Sequence, residues 1–489
     1  MVDMANPTSL RYSTHSHYHP RSAVHRRDYF GFTDCTPPEP FKPKLAFNPP
    51  PKKAFPPPPQ KKAAKPPLTQ SFKPPPKPSS PRPNRDPATL LSRRSVLARL
   101  SNRAQSSRPI PKLPEPLRHP IRSFQATANS SLPNHYLPNH LHRMSSITNT
   151  KAVVLDHLVD GEVSTRHFRL ENKPISDIKD GQVLVQIVAF SHEPAQRQWI
   201  DANTDERRLY TTLIKPGETV RAPIVGRVIA SKLPKYPVGT TLAGFHGWAE
   251  YAVLNEGEIF AAVPPTADGK VDLHALDVFG LAGNTAYVAS AKYGKIEPGS
   301  TVVVSGAAGA IGSLLVQLAK KVYGAGRVVG IAGGKAKCDW VKTLGADECV
   351  DYKSPDWEEQ LRAAVPDYAD VYFDNVGGPM LDVMLQLVRP NGTIVVVGAI
   401  STYNGEALKL ANWPQVIYNR LTIRGFINLD HPELITKGQA EFAKWIAEGK
   451  IDVSDIQTVV QDKIEDVPKT WLRLFDGSGK GKIISQIAA

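Results

Sequence analysis

Cysteine is scarce in this chain: Cys35, Cys338 and Cys349 are the only three in 489 residues. Three thiols cannot build a disulfide framework or a thiolate-rich zinc site, and such sparse use fits a reducing compartment. Runs of eighteen or more apolar residues are missing, so the sequence offers no membrane-spanning helix. The extreme N-terminus has no apolar core of signal-peptide type. Together these absences point to the cytoplasm.

Acidic residues are lacking in one part only. Residues 1–145 carry 24 Lys and Arg against 6 Asp and Glu, a net charge of +18, which leaves −4 for the remainder of a chain whose total is +14. The basic character therefore belongs to the N-terminal stretch, and the body is not that of a nucleic-acid binder. Residues 1–150 also hold 29 of the 45 prolines. Stretches such as "NPPPKKAFPPPPQKKAAKPP" cannot continue a helix or a central strand, and bury little apolar surface to offset the entropy of ordering. The composition predicts a disordered tail with polyproline II character. Its simplest role is a spacer or an extension upstream of Met144, where "MSSITNTKAVVLD" opens like an ordinary enzyme. The acid-free segment Leu90–Lys112, rich in Arg, Ser and Leu, has transit-peptide composition, which makes a mitochondrial address the alternative. Pro78-x-x-Pro81 followed by Arg82 is a PxxP of the kind aromatic grooves bind. The tail lacks the interleaved aromatics of a nucleic-acid arm.

From Ile147 the texture changes. "KAVVLD", "GQVLVQIVAFS", "APIVGRVIAS", "VGTTLAGFHGWAEYAVL" and "IFAAVP" read as short, β-branched, Gly-punctuated strands of a small barrel or sandwich. Beyond Gly283, strands alternate with helices: Thr301–Ser305, Arg327–Ala332, Glu348–Asp351, Val371–Asn375 and Thr393–Gly398. That alternation means βαβ units and a parallel sheet. The fold class expected is α/β: a small all-β region from 146 to 283, then a doubly wound parallel sheet from 284 on.

The run Val302-Val303-Val304 is a buried strand, and Ser305-Gly306-Ala307-Ala308-Gly309-Ala310-Ile311-Gly312 is the turn after it. Ile311, Leu314, Leu315 and Leu318 then recur at helical spacing. Glycines at such a turn let the backbone approach a pyrophosphate, whose charge meets the free amides at the helix start. Gly306, Ala308, Gly309, Ala310, Ile311 and Gly312 are thus dinucleotide-binding candidates. An NAD site would place Asp or Glu at the end of the second strand. Here Ile331-Ala332-Gly333-Gly334 has no carboxylate, and Lys335 and Lys337 follow. A lysine attracts the 2′-phosphate that a carboxylate repels, so NADP(H) is the cofactor favoured.

These stretches, with "FSHEPAQRQW", "RAPIVGRVIAS", "FHGWAEYAV", "LAGNTAYVA", "DVYFDNVGG" and "VVVGAISTYN", resemble the zinc-independent medium-chain dehydrogenases/reductases, in the branch of the prostaglandin reductases and plant alkenal double-bond reductases. The resemblance covers about residues 147–489. It implies a GroES-like β-barrel catalytic domain at 146–283, completed by about 455–489, around an inserted, doubly wound Rossmann domain at 284–454. It further implies that Ala308–Ile311 line the pyrophosphate and that Lys337 meets the 2′-phosphate, with Tyr352 beside the adenosine end. Asn375 would lie near the cofactor, and Gly398, Ala399, Ile400 and Tyr403 would border the nicotinamide. Phe426, Ile427 and Asn428 would lie near the nicotinamide and substrate, with Asn284 and Thr285 at the cleft. Strand 421–429 would lie at the sheet edge, where pairing with a second copy gives a homodimer.

The chain departs from that pattern. Ser191-His192-Glu193-Pro194-Ala195-Gln196-Arg197 stands where the branch has SxDPxxR, and Gly479 stands where it has a cofactor-contacting Asn before xGK. The second-strand loop "GGKAK" is also less acidic than usual. Cys338 and Cys349 both fall in the Rossmann segment, and neighbours on a strand such as His192 and Glu193 point to opposite faces, so no metal is expected. Without a Lewis acid, the natural reaction is reduction of an activated C=C bond. Hydride passes from NADPH to the β carbon of an enal or enone, and Tyr403 stabilises the enolate oxygen. A quinone reductase of the same superfamily is one alternative, and a non-catalytic NADPH-binding protein recruited through its Pro-rich tail is another.

Overall fold

The computed structural model describes residues 147–487, apart from residue 406. The expectations about the tail – its disorder, its targeting segment and its PxxP – lie outside the described residues. Among those described, no helix is long and apolar enough to cross a membrane.

Strands β1 (Asn149–Leu155) and β2 (Phe168–Pro174) form an antiparallel pair. β3 (Gln182–Ser191), β4 (Pro223–Ser231), β5 (Thr241–Phe245), β6 (Tyr251–Asn255) and β7 (Ile259–Ala262) follow, each short and bounded by turns. Helix α1 (Leu281–Val288) leads into a second region of alternating strands and helices. There β8 (Thr301–Ser305), α2 (Ala310–Gln317), β9 (Arg327–Ala332), α3 (Lys335–Thr343) and β10 (Glu348–Asp351) succeed one another. Then come α4 (Trp357–Ala364), β11 (Ala369–Asp374), α5 (Gly378–Leu387), β12 (Val388–Val396), α6 (Gln415–Tyr418), β13 (Thr422–Gly425) and α7 (Pro432–Ala447). The chain closes with β14 (Gln457–Asp462), α8 (Val467–Leu472) and β15 (Lys482–Ile487).

β8 to β13 make one parallel sheet in the order β10-β9-β8-β11-β12-β13. Val302, Val303 and Val304 are wholly buried at its centre, because helices cover both faces of the sheet. β11 and β12 begin earlier and stop sooner than the sequence suggests, at Asp374 and Val396. The amides of Val397 and Gly398 both turn onto the Asp374 carbonyl, which ends the ladder. The edge strand is also shorter than 421–429. After Gly425 the chain leaves the sheet for a tight turn at Asn428–Asp430, and the Asn428 amide donates to the Thr285 hydroxyl at 3.1 Å.

The other sheet runs β14-β15-β3-β4-β5-β7, with β6 also paired to β3. The last two strands therefore return across the whole doubly wound region to pair with a strand laid down three hundred residues earlier. Their seam holds a buried ion pair. Lys482 Nζ lies 2.6 Å from Glu193 Oε1 and donates to the His192 carbonyl at 2.9 Å. Ser191 Oγ donates to the same carboxylate at 2.6 Å. Both charged residues are less than a tenth exposed. Burying two charges is costly, and removing one partner strands the other. Lys482→Met is therefore expected to lower stability by about 3–5 kcal/mol. Adding Glu193→Leu to that background should recover a large part of the loss in urea unfolding, and a double variant no better than the single one would show the pair to be dispensable.

Candidate active site

The glycine turn is shaped by what cannot fit there. Gly306 has φ of +57°, and a Cβ on Gly312 would lie 2.2 Å from the Gly306 carbonyl oxygen. The first turn of α2 thus packs directly against the end of β8. The amides of Ala310, Ile311 and Gly312 are left without a carbonyl partner outside the helix, as the first amides of any helix are. Donors, dipole and a side-chain-free approach together fit a pyrophosphate.

At the end of β9 the structure adds a steric reason to the charge argument. A Cβ on Gly333 would lie 2.8 Å from three atoms of the Tyr352 ring, so the carboxylate of an NAD-type site has no room there. Lys337, in the first turn of α3, is half-buried and donates to the Gly477 carbonyl at 2.6 Å. Burial, with Lys353 nearby, lowers its pKa against the pull of Asp476. Lys335 instead points outward to Asp339. Lys337, Tyr352 and the Gly477 backbone thus enclose one corner. The segment that closes this corner runs on, and the Gly481 amide donates to the Ala308 carbonyl at 2.8 Å. The C-terminal stretch therefore spans from the lysine corner to the glycine turn.

The third group of predicted residues also converges. Asn375 donates from its side chain to the Ser305 carbonyl at 2.7 Å, and its own amide is held by Ser305 Oγ at 2.9 Å. Beside it, buried Asp374 accepts from Tyr372 Oη, Ser305 Oγ and the amides of Val376 and Gly377. Burial nevertheless raises its pKa. The loop Gly398–Tyr403 lies against this knot, with the Ile400 and Ser401 amides bonded to the carbonyls of Asn375 and Val376. The Tyr403 phenol sits 3.8 Å from where a Gly398 Cβ would be. Phe426 to Asn428 form a separate wall, with Phe426 stacked 5.1 Å from Tyr293 and Asn428 held by Thr285.

A cleft of about 420 Å³ opens beside Tyr403. One side is Thr402 and Tyr403; the other is the turn region of Arg197, Gln198, Asp201, Thr204, Asp205, Arg208 and Leu209. Tyr210 stands next to this wall, 40% exposed, and its phenol accepts from the Trp199 indole at 3.0 Å; partial removal of the phenol from water raises its pKa. Burial likewise raises Tyr403. Tyr210 was not singled out in the sequence, and Arg197, Ser305 and Asp374 stood there only as members of longer stretches. A tyrosine in a polar turn and a serine ending a strand carry no local signal.

A family model described as the N-terminal domain of oxidoreductase matches residues 151–262, and one described as zinc-binding dehydrogenase matches residues 310–445. Prostaglandin reductase 1 of Oryctolagus cuniculus is 32% identical over 330 residues, 67% of this chain and 90% of that protein. The chain belongs to the medium-chain dehydrogenase/reductase family. NADPH-dependent curcumin reductase of Escherichia coli is 31% identical over 66% of this chain and 92% of its own. The structure of CurA from Vibrio vulnificus in complex with NADPH superposes with a TM-score of 0.62, at 31% identity over 69% of this chain and 99% of that one. This medium-chain reductase is an NADP-dependent oxidoreductase of the prostaglandin and curcumin reductase type.

The zinc in the family model's description does not fit the residues here. Cys338 and Cys349 lie against β9 and β10, away from the cleft. His192 is buried, with Nε2 bonded to Ser485 Oγ at 2.7 Å, and Glu193 is committed to Lys482. Burial and the Lys482 charge drop His192 to about 3, which keeps it a neutral packing residue. Among the described residues no three His, Cys, Asp or Glu side chains cluster as metal ligands.

Lys337 must hold its proton to pair with a phosphate. Its pKa is depressed, so NADPH affinity should be full at neutral pH and fall as pH rises through a value below the ordinary lysine range. Lys337→Met should weaken NADPH about 10- to 100-fold, the worth of charge-assisted bonds, and flatten that pH dependence. Fluorescence titration with NADPH and NADH checks both, and equal weakening of the two cofactors would remove Lys337 from the phosphate site.

Proposed function

We propose that this reductase reduces the C=C bond of α,β-unsaturated aldehydes and ketones. The observation that carries the reading is the Tyr403 phenol. It is half-buried on the cleft wall, with its pKa raised further above neutral, on the loop that packs against the Ser305–Asn375 knot. The names of its relatives, a prostaglandin reductase and a curcumin reductase, support the same class.

The residues that would hold NADPH are Gly306, Ala308, Gly309, Ala310, Ile311 and Gly312 at the pyrophosphate, and Lys337 with Tyr352 at the 2′-phosphate. Asn375, Gly398, Ala399, Ile400, Phe426, Ile427 and Asn428 would lie toward the nicotinamide. When bound, NADPH supplies the hydride for the β carbon. Tyr403 donates a hydrogen bond to the substrate carbonyl oxygen, where negative charge grows as the enolate forms. Its phenol then serves as the nearest proton source for the α carbon. Tyr210, anchored by Trp199, narrows the cleft opposite and limits how the enone can lie.

Tyr403→Phe should lower kcat for an enone about a hundredfold, as loss of one oxyanion donor does, and change KM little. An unchanged kcat would leave orientation alone as the source of catalysis. The class is tested by NADPH oxidation at 340 nm with a 2-alkenal, an enone, a saturated aldehyde and a quinone. The expected products are the saturated carbonyls from the first two. Turnover of quinone alone would shift the reading to a quinone reductase, and silence on all four to an NADPH-binding protein without activity.

The same reading includes a homodimer through β13. This strand has one unpaired edge, and Trp413, Ile417 and Tyr418 beside it are 50%, 74% and 66% exposed. An apolar cluster next to an open strand edge suits a second copy. Light scattering is expected to give twice the chain mass, and a monomer at micromolar concentration counts against it.

A further inference from the structure

The chain passes between its two sheets twice, out of the barrel sheet after β7 and back into it at β14. One polar cluster joins the two crossings. The outbound one makes a short turn at Leu273–Leu276, and the buried Asp277 follows it. The Asp277 carbonyl accepts from the amides of Gly280 and Gly283 at 3.1 and 2.8 Å, which starts α1. Its carboxylate faces His274, whose Nδ1 lies 3.1 and 3.2 Å from the two oxygens. Gln457, the first residue of β14, donates from Nε2 to the same carboxylate and lies 3.0 Å from His274 Nδ1. Gln457 stands opposite Lys482 in the sheet, and the Lys482 amide donates to the Ile456 carbonyl at 2.7 Å. The cluster therefore sits beside Gly481, whose amide ties the C-terminal stretch to Ala308 of the glycine turn.

We propose that His274, Asp277 and Gln457 form a clasp on the hinge between the two sheets, closed when His274 carries its proton, and that its opening is a step in cofactor release. This rests on the placement of the cofactor at the glycine turn. Hinges are a few residues at the ends of elements, and here one carboxylate holds both crossings. Nδ1 meets a donor and an acceptor at nearly the same distance, so its bonding changes with its proton. On the imidazolium it can only donate, and the bond to Asp277 is charge-assisted. On the neutral ring it can accept from Gln457 instead, with no ionic attraction left between ring and carboxylate. Burial alone would lower the pKa of His274, but the hydrogen bond and charge of Asp277, with the charge of Asp272, outweigh it and raise the value. Of the other elements packed here, β14 brings the neutral Gln457, and Lys482 of β15 is bound to Glu193. Leu276 on the same turn packs against the apolar Ala189, Val225 and Ile484. The His274 side chain is 28% exposed, so its proton exchanges with water. Below the raised pKa the clasp is closed. As pH rises through that value the charge is lost and the clasp loosens.

The test follows release of NADPH, and of NADH in parallel, by stopped-flow fluorescence, each preformed complex being chased with excess NADP+. The pH runs from about 6 to about 9, which spans the histidine range. Release from the wild-type enzyme is expected to speed up about tenfold over that range with both cofactors, the scale of one charge-assisted bond. His274→Gln should release fast at every pH, because the amide keeps a donor and loses the charge. Gln457→Met should raise the low-pH rate toward the high-pH one. A pH dependence that survives His274→Gln overturns the inference, as does a wild-type rate that does not move with pH. A dependence seen with NADPH alone belongs to Lys337, which NADH does not need, and overturns it as well. Hydrogen exchange tests the placement separately. NADPH should protect the amides of Ala310, Ile311 and Gly312, and a turn left unprotected removes the placement and the clasp's role in release with it.

Discussion

The return of the C-terminal strand to β3 is the constraint on which the rest depends. β15 must enter the barrel sheet beside Ser191, yet it approaches along the doubly wound region that separates the two halves of that sheet in sequence. The entry point is Gly481-Lys482. The Gly481 amide bonds the Ala308 carbonyl of the cofactor turn, and the next side chain, Lys482, reaches the buried Glu193. One dipeptide thus ties the glycine turn to the start of the segment that carries Arg197 and Gln198. Gly481 has φ of +61°, and a Cβ there would lie 2.1 Å from the Ile456 carbonyl oxygen, so only glycine allows the crossing.

That tie gives the site its layout. The ends of β8, β11 and β12 are built from backbone and small residues, the arrangement that the proposed cofactor would need for a close approach. The cleft is built from side chains on turns: Arg197, Arg208 and, across from them, Tyr403. Between them lies the Ser305–Asp374–Asn375 knot, which joins side chains to backbone groups and ties Asp374 to the Tyr372 and Ser305 hydroxyls. It holds two strand ends and the Gly398–Tyr403 loop in register, and so sets where the phenol stands. Electrostatics divide along the same line, with the half-buried Lys337 beside Tyr352 and the half-buried Tyr403 on the cleft wall.

Much of the cofactor half was legible in the sequence. Val302–Val304, the glycine spacing and the helical leucines are local signals, and the strand ranges Thr301–Ser305, Arg327–Ala332 and Glu348–Asp351 were read to the residue. NADP over NAD followed from missing acids and present lysines. The ends of β11, β12 and β13 were less legible. Their limits come from Asp374 and Asn428 making bonds to residues far away in the chain, which no window of sequence reveals.

The sequence by itself determined the periodicity, the glycines and the charges, and with them the α/β class, the cofactor type and the family resemblance. These depend on contacts between near neighbours, or on residues that are simply present or absent. Only the tertiary structure decided that Glu193 pairs with Lys482, that His192 is a packing residue, and that Arg197 and Arg208 share a cleft with Tyr403. Each of those facts is a meeting of residues tens to hundreds of positions apart. Such meetings are set by how two sheets close on one another and not by any local preference of the chain.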